Sequence, residues 1–250
     1  MEYKVEINGL DVNATYREEN IRDIFIPLLR RFKDLYDEKQ KRILVLLAAP
    51  PGAGKSTLLS FLKYLSISEK GLMPITTIGM DGFHRYQDYL ISHTIERDGQ
   101  EYKMVDVKGC PETFDLTKLI ERIKRISEGD VVGWPEYNRL THNPIEDAIQ
   151  VSGNIILLEG NYLLLNRLGW KDIKDYSDLT ISIKADENLL RERLIERKFK
   201  SCNDLEKANA FVDFSDMYNV RTCLNESMNA DIELKIMDDS SYTVTSGLIK

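Results

Sequence analysis

Near its start the chain alternates apolar and polar residues in a way that predicts a β-hairpin. The alternation runs through residues 5–12 and is interrupted by Asn8 and Gly9, a pair typical of the type I′ turn that joins two antiparallel strands. The apolar spacing changes after this point and changes again near residue 41. We therefore interpret residues 1–40 as a small extension and residues 41–250 as the main domain.

The second part of the extension has the spacing of an amphipathic helix. Thr15 and Glu18 lie three residues apart, as in a capping box at the start of a helix. Pro27 lies inside the apolar pattern, and we expect the helix to kink or restart there because proline cannot donate a helical hydrogen bond. The apolar residues that define the pattern are Ile21, Ile24, Phe25, Leu28, Phe32 and Leu35.

From residue 42 onward, short apolar runs alternate with amphipathic segments. A run that is apolar throughout, such as Ile43–Ala48, is typical of a strand buried on both faces. Strands that alternate with helices predict an α/β fold with a mostly parallel sheet. The other predicted strands are residues 75–80, 131–134, 155–158, 179–183 and Ile232–Ile236, and helices are predicted around residues 58–65, 116–126 and 186–198.

Composition narrows the class of protein. The 250 residues carry 34 basic and 41 acidic side chains, which gives a net charge of −7. This balance argues against a non-specific nucleic-acid binder, which needs a basic face. The apolar run that ends at Ala49 is too short to span a membrane, and the start of the chain has neither the basic nor the apolar part of a signal peptide. With three scattered cysteines, we expect a cytoplasmic protein with reduced thiols and no nucleic-acid or membrane partner.

The strongest motif is a phosphate-binding loop between the first buried strand and the helix after it. Its glycines let consecutive backbone N–H groups point into one cavity, next to the positive end of that helix. Such loops have a lysine that reaches the β- and γ-phosphates and a hydroxyl that binds Mg²⁺. We therefore predict an ATP site formed by Pro51, Gly52, Ala53, Gly54, Lys55, Ser56 and Thr57, with Ser56 as a metal ligand.

Two acidic residues follow predicted strands and suggest phosphoryl transfer. Asp81 directly follows the run at residues 75–80, and Glu159 directly follows the run at residues 155–158. Ligands of parallel α/β sheets bind outside the carboxyl ends of the strands, so both carboxylates are expected beside the loop. One would accept a proton from an attacking hydroxyl and the other would hold Mg²⁺. Residues 106–109 fit a DxxG pattern, but the chain has no Asn-Lys pair for a guanine-reading motif, so we take that match as coincidence.

These motifs resemble the uridine kinase, phosphoribulokinase and pantothenate kinase group of P-loop kinases. The stretch from Asp81 to His84 is similar to the DGFH of bacterial pantothenate kinases, in which the aspartate is the proposed general base. Residues 135–142 resemble a uridine kinase stretch whose Tyr and His line the nucleoside site, although Asn138 replaces its aspartate. The Glu159–Gly160 pair matches the Mg²⁺-associated Glu-Gly of the group. The resemblance implies a three-layer P-loop fold, with ATP and Mg²⁺ as cofactors.

A bacterial branch described as nucleoside/nucleotide kinase-like, or fructose-transport-kinase-like, is a closer match. Residues 109–115, 159–165 and 215–219 look like that branch, and the whole resemblance covers roughly residues 42–236. Residues 1–40 lie outside the uridine and pantothenate kinase pattern. Two roles stay open for them: a contact in a homodimer, or a brace for the sheet.

The resemblance also implies a lid and an acceptor pocket. The predicted helix after Asp186 occupies the position of the lid, about residues 186–203, where Arg193 and Arg197 would clamp the transferred phosphoryl group. Residues 82–115 would form a flap on the substrate side. We expect the acceptor to contact His84, Arg85, Tyr137, Arg139, His142, Asn161 and Tyr162.

The resulting hypothesis is a kinase that phosphorylates a hydroxyl group of a small polar metabolite. Its catalytic residues would be Asp81, Lys55, Arg193 and Arg197. The motifs leave a nucleoside and a sugar open as acceptors, and pantothenate has the support of the DGFH stretch alone. A nucleotide-binding regulatory protein without transfer activity is the alternative from another functional class.

Overall fold

A computed structural model describes residues 1–7, 10–247 and 249. Strands β1 (Glu2–Ile7) and β2 (Leu10–Thr15) pair antiparallel, as predicted, while the predicted turn at Asn8 and Gly9 lies outside the described residues. The helical segment has three parts: α1 (Glu18–Asn20), a π-helical turn (Ile21–Phe25) and α2 (Ile26–Lys39). Pro27 lies in the first turn of α2, directly after the π-helical turn, and Phe25 and Ile26 keep right-handed helical angles, so the helical segment changes its hydrogen-bond pattern there without a break.

The predicted capping box is wrong. Thr15 is the last residue of β2, and Arg17 occupies the N-cap position of α1 without a side-chain hydrogen bond to the helix. Pairing with β1 keeps Thr15 in the extended strand, opposite Glu2.

The remaining elements alternate strands with helices, and short 3-10 turns connect several of them. In chain order they are β3 (Ile43–Ala48), α3 (Lys55–Ser68), β4 (Thr76–Gly79), α4 (Gln87–Ser92), β5 (Thr94–Arg97), β6 (Gln100–Lys103), α5 (Leu116–Ser127), β7 (Val132–Asn138), β8 (Asn143–Val151), β9 (Ile155–Gly160), β10 (Leu179–Lys184), α6 (Glu187–Cys202), α7 (Leu205–Phe211), α8 (Met217–Glu226), β11 (Ile232–Ile236) and β12 (Tyr242–Ser246).

Six strands form the main sheet in the order β12-β11-β10-β3-β9-β4, and all but β12 run parallel. Strand β3 is buried along its whole length, because helices cover both faces of the sheet at this position. The expected α/β fold with a mostly parallel sheet is therefore confirmed. Among the described residues, no helix has both the length and the apolar character needed to cross a bilayer.

The predicted strand at residues 131–134 does not join this sheet. Residues 132–138 form β7, which pairs antiparallel with β8 in a separate hairpin. Strand β8 was missed because much of it is exposed and carries polar side chains, so it lacks the apolar run of a core strand. The predicted strand at residues 75–80 is also shorter: β4 ends at Gly79, and Met80–Phe83 form a 3-10 turn.

The extension packs onto the main domain through an aromatic cluster. Tyr16 stacks on Phe61 of α3 with 4.0 Å between ring centroids, and Phe25 meets the edges of both Phe61 and Tyr242. Asn20 exchanges two hydrogen bonds with the backbone of Tyr242, at 2.7 and 2.9 Å. These contacts put the extension and one face of the sheet in a single core, so the extension braces the sheet.

Candidate active site

The phosphate loop leads directly into the first turn of α3, and within the loop the Ala53 N–H donates to the carbonyl oxygen of Pro50 at 3.3 Å. Gly52 and Gly54 adopt φ values of 82° and 74°, a left-handed conformation that glycine enters without a steric penalty. No side chain caps the first turn of α3. Because the first four N–H groups of a helix have no partner inside it, they can donate to an anion held in the loop.

Helix α6, the predicted lid, contacts the loop from one side. A Cβ atom at Gly52 would lie 3.0 Å from the carbonyl oxygen of Leu190 and 3.1 Å from the side chain of Leu194, both in α6. Glycine therefore allows the loop to approach α6 closely, and any larger residue would increase the distance between them. Asp186 begins the helix by accepting a bond from the backbone N–H of Asn188 at 2.8 Å.

Ser56 and Glu159 meet at the carboxyl end of the sheet. The Ser56 hydroxyl donates to Glu159 Oε1 at 2.7 Å. Glu159 is the residue before the last in β9 and lies beside both β3 and β4, since it is in register with Leu47 and Gly79. Burial raises the pKa of the Glu159 carboxyl, and the charge of Lys55 partly opposes that shift. A hydroxyl and a carboxylate side by side are oxygen ligands of the kind Mg²⁺ prefers, so this pair fits that metal.

Asp81 lies in the 3-10 turn that follows β4, next to the Ser56–Glu159 pair. The negative charge of Asp81 adds to the upward shift of the Glu159 pKa, so the two carboxylates lie close enough to interact electrostatically. The backbone carbonyl of Asp81 accepts a 2.8 Å hydrogen bond from the ring of His84. A cleft of about 410 Å³ is lined by Ser56, Asp81, Tyr137 and Glu159. The predicted metal ligands and the predicted base thus face one cavity.

Gly82 allows the turn that carries Asp81 to touch the β7–β8 hairpin. A Cβ atom at this position would lie 2.0 Å from the carbonyl oxygen of Pro135. We expect Gly82→Ala to lower the free energy of unfolding by about 2 kcal/mol, because two backbone segments must separate. Chemical denaturation measures this change.

Gly71→Ala is the control for that substitution, because Gly71 has open space around it and only its φ of 83° opposes a side chain. Its expected cost is about 1 kcal/mol. Equal losses in the two variants would contradict the close contact at Gly82.

Tyr137 lines the cleft, and the ring of His84 packs against it. Their rings lie 5.1 Å apart, and His84 also packs 4.0 Å from the ring of Phe114. Burial lowers the pKa of His84, and the charges of Lys108 and Arg139 lower it further, although Asp81 opposes the shift. The His84 imidazole is therefore neutral at physiological pH.

The other residues expected to contact the acceptor have different surroundings. Arg85 lies over the ring of Tyr89 at 4.6 Å and lines a separate pocket of about 80 Å³. Arg139 and His142 have exposed side chains, and the backbone carbonyl of His142 accepts a hydrogen bond from Lys108 Nζ at 3.1 Å. Asn161 and Tyr162 follow β9: in the part of the chain that the structure describes, the buried Asn161 Oδ1 has no hydrogen-bond partner, and the Tyr162 side chain is fully buried. The structure thus brings Tyr137 to the cleft, whereas His84 lines the separate pocket together with Arg85, and Tyr162 is buried away from the cleft.

The two arginines of the predicted lid have different neighbours. Arg193 donates to Ser240, in the turn between β11 and β12, at 2.8 Å, so the structure does not bring it to the phosphate loop. Arg197 lies one and two helical turns beyond the loop-facing residues Leu194 and Leu190, on the same side of α6. It is near Asp216. Burial raises the pKa of Asp216, and the positive charge of Arg197 partly opposes that shift.

Two features of the site were not predicted from the sequence. Lys108 has no predicted role, and its ammonium group lies 4.9 Å from the centre of the Tyr137 ring. Glu6 and Ile7, at the end of β1, line the same cleft as Asp81. The lysine directly before the Gly109–Asp115 motif was an available signal, whereas nothing in residues 1–7 indicates a position beside the site.

Comparison with known proteins agrees with this geometry. The model of the Phosphoribulokinase / Uridine kinase family matches residues 44–206, more than half of the chain. An uncharacterized protein, YggC of Escherichia coli (strain K12), is 38% identical over 247 residues, which cover 98% of this chain and all of that protein. A protein of Schizosaccharomyces pombe named "putative uridine kinase" is 29% identical over 222 residues, covering 84% of this chain and 92% of its own.

A solved structure has the same fold. It is described as a "putative fructose transport system kinase" from Silicibacter sp. TM1040 and superposes with a TM-score of 0.71 at 28% sequence identity. The superposition covers 82% of this chain and 98% of the other.

Proposed function

Because the chain belongs to the phosphoribulokinase / uridine kinase family, we propose that it transfers the γ-phosphate of ATP to a hydroxyl group of a small polar metabolite. The observation that carries this proposal is the cleft that joins the Ser56–Glu159 pair to Asp81 beside the phosphate loop. A site for phosphates and metal and a site for a proton acceptor thus share one cavity.

In this proposal, different residues of the site have different roles in the reaction. The loop N–H groups and Lys55 bind the phosphates and stabilise the charge that spreads over the γ-phosphoryl oxygens during transfer. Asp81 orients the acceptor hydroxyl and takes its proton while the hydroxyl oxygen forms a bond to the γ-phosphorus. The bond between that phosphorus and the bridging oxygen breaks, and ADP leaves with the electron pair. Arg197 is the lid arginine best placed to meet the transferred group.

Ser56 and Glu159 would hold the magnesium ion. The ion, when bound, neutralises negative charge on the phosphate oxygens. The buried position of Glu159 at the end of β9 fixes its carboxylate beside the loop. Lys55 opposes the burial penalty on that carboxylate and so favours the ionised form that a metal requires.

The acceptor has at least one hydroxyl group. Relatives described as a "putative uridine kinase" and a "putative fructose transport system kinase" support a nucleoside and a sugar respectively, and both compound classes have primary hydroxyls. The open cleft between α3, β4 and the β7–β8 hairpin accommodates a small polar molecule beside Asp81.

ADP release tests this proposal. The full-length protein is incubated with Mg²⁺ and ATP and with one compound at a time from a panel of nucleosides, ketoses, aldoses and pantothenate. We expect one class to raise ADP release at least tenfold above the rate without acceptor. A chain that binds ATP but releases no additional ADP with any of these compounds would favour the regulatory alternative.

A further inference from the structure

The end of β1 is the part of the N-terminal extension that reaches the cleft. Glu6 and Ile7, the last two residues of β1, line the same cavity of about 410 Å³ as Asp81. Both lie outside residues 44–206, the region that matches the family model. The extension therefore adds a surface of its own to the cleft in which we place the acceptor.

Strand β1 is held against α3. Half-buried and exposed residues alternate along the strand, so Tyr3, Val5 and Ile7 share the half-buried face. The Tyr3 hydroxyl shares a 2.8 Å hydrogen bond with Ser60 Oγ, and its ring packs edge-to-face against Phe61 with 5.1 Å between centroids. Ser60 also lines the cleft. These contacts fix β1 beside the cavity.

The other end of the hairpin is anchored as well. The terminal ammonium group of Met1 donates to the carbonyl oxygen of Tyr16 at 2.7 Å, and Arg17 pairs with Asp239 at 2.7 Å. The stacking of Tyr16 on Phe61 adds an apolar contact to the same region. Residues on a rigid element hold a binding geometry more precisely than residues on a loop. The end of β1 is thus suited to select among ligands.

The cleft is acidic. Of the described residues that line it, four are carboxylates and one, Lys63, is basic. Asp81 and Glu159 have roles as base and metal ligand in the proposed reaction, which leaves Glu6 and Glu136 to face the acceptor. An ionised carboxylate can accept hydrogen bonds but cannot donate them. Glu6 therefore suits a hydroxyl or amino group and repels a phosphate or carboxylate.

We propose that Glu6 and Ile7 are specificity-determining residues of the acceptor site. Glu6 accepts a hydrogen bond from a hydroxyl or amino group of the acceptor, and Ile7 limits the size of the molecule that fits beside Asp81. This inference rests on the proposed kinase function and narrows its substrate class. The site selects an uncharged or amino-substituted polyhydroxyl compound over its phosphorylated or acidic counterpart.

Binding of matched pairs tests the charge preference independently of turnover. Titration calorimetry with Mg²⁺ and a non-hydrolysable ATP analogue compares ribose with ribose 5-phosphate, fructose with fructose 6-phosphate, and glucosamine with gluconate. We expect the member without negative charge to bind about threefold or more tightly in at least one pair, the size of an interaction between exposed charges. Tighter binding of the anionic member in the pairs that bind would overturn the inference.

Glu6→Gln assigns this preference to its residue. The variant keeps the shape of the side chain and removes its charge, so the two members of a pair should bind within about a factor of two of each other. Glu2→Gln is the matched control, because Glu2 lies on the same exposed face of β1 and is not among the described residues that line the cleft. The KM for ATP should stay at the wild-type value in both variants. Equal changes in the two variants would show an effect of net charge and would contradict the role of Glu6.

Ile7→Ala tests the limit on size. Removing three carbon atoms enlarges the cleft, and we expect acceptors longer by one carbon to gain about threefold in kcat/KM relative to shorter ones. Val5→Ala is the control, because Val5 is half-buried on the same face of β1 and is not among the described residues that line the cleft. Thermal unfolding of both variants reports any loss of stability. An unchanged ranking of acceptors in Ile7→Ala, or the same change in Val5→Ala, would contradict the role of Ile7.

The outcomes separate this inference from the kinase function. A chain that phosphorylates an anionic acceptor best, in the wild type and in Glu6→Gln alike, would overturn the inference and leave the kinase function intact. A chain that binds none of these compounds and releases no additional ADP with any of them would contradict both.

Discussion

Asp81→Asn is expected to lower kcat about 10³-fold while ATP binding stays within a factor of two of the wild type. The amide has nearly the shape of the carboxylate, so the turn after β4 keeps its packing, but it cannot accept the proton of the acceptor hydroxyl. The measurement is steady-state ADP release with the acceptor that the compound panel identifies, together with ATP affinity by calorimetry.

The matched control for this variant is Asp106→Asn. Asp106 is exposed in the flap, and its replacement removes the same charge away from the cleft. Wild-type turnover in Asp106→Asn and near-complete loss in Asp81→Asn would assign the base role to Asp81. Wild-type turnover in Asp81→Asn would remove it from that role.

Lys55→Met is expected to lower kcat/KM about 10³-fold. Without the ammonium group, the charge on the γ-phosphoryl oxygens loses its nearest protein cation. The charge of Lys55 also helps to keep Glu159 ionised, so its loss raises the pKa of that carboxyl further. We therefore expect a higher Mg²⁺ concentration at half-maximal rate, measured by titrating Mg²⁺ at saturating ATP.

Lys70→Met serves as the control for Lys55→Met, since Lys70 is exposed in the loop after α3. Thermal unfolding of both variants shows whether the fold is intact. If Lys55→Met retained kcat/KM within a factor of ten, the loop would not bind phosphates in the way that its geometry indicates.

The parts of the structure that depend on local pattern were predictable from the sequence. The apolar run at β3 and the glycines after it define a buried strand, a turn and a helix start, because each of these features depends on residues that are close together in the sequence. Asp81 and Glu159 were expected at strand ends from position alone, and the sheet order brings both strands to the same edge of the site.

Features that depend on tertiary contacts were not predictable in the same way. Strand β8 exposes polar residues and shows no core pattern, so the hairpin that carries Tyr137 appeared as a single strand. Arg193 and Arg197 are four residues apart, and helical spacing alone cannot show that Ser240 binds one of them. The contact of Lys108 with the Tyr137 ring could not be predicted either, since a lone lysine in a polar segment has no sequence pattern of its own.

The extension gives a further example. Its apolar helix pattern was visible, but both a dimer contact and a brace would show that pattern. The contacts of Tyr16 and Phe25 with Phe61 favour the brace, because these aromatic faces are covered within one chain. The homodimer stays a prediction.

Phosphorus NMR of a single reaction mixture tests the central function most directly. The protein, Mg²⁺, ATP and the identified acceptor are observed as ADP accumulates. Transfer to a hydroxyl predicts that a phosphate-ester resonance of the acceptor grows in equal amount with ADP and that inorganic phosphate does not. If inorganic phosphate accounted for all the ADP formed, the chain would be a hydrolase rather than a small-molecule kinase.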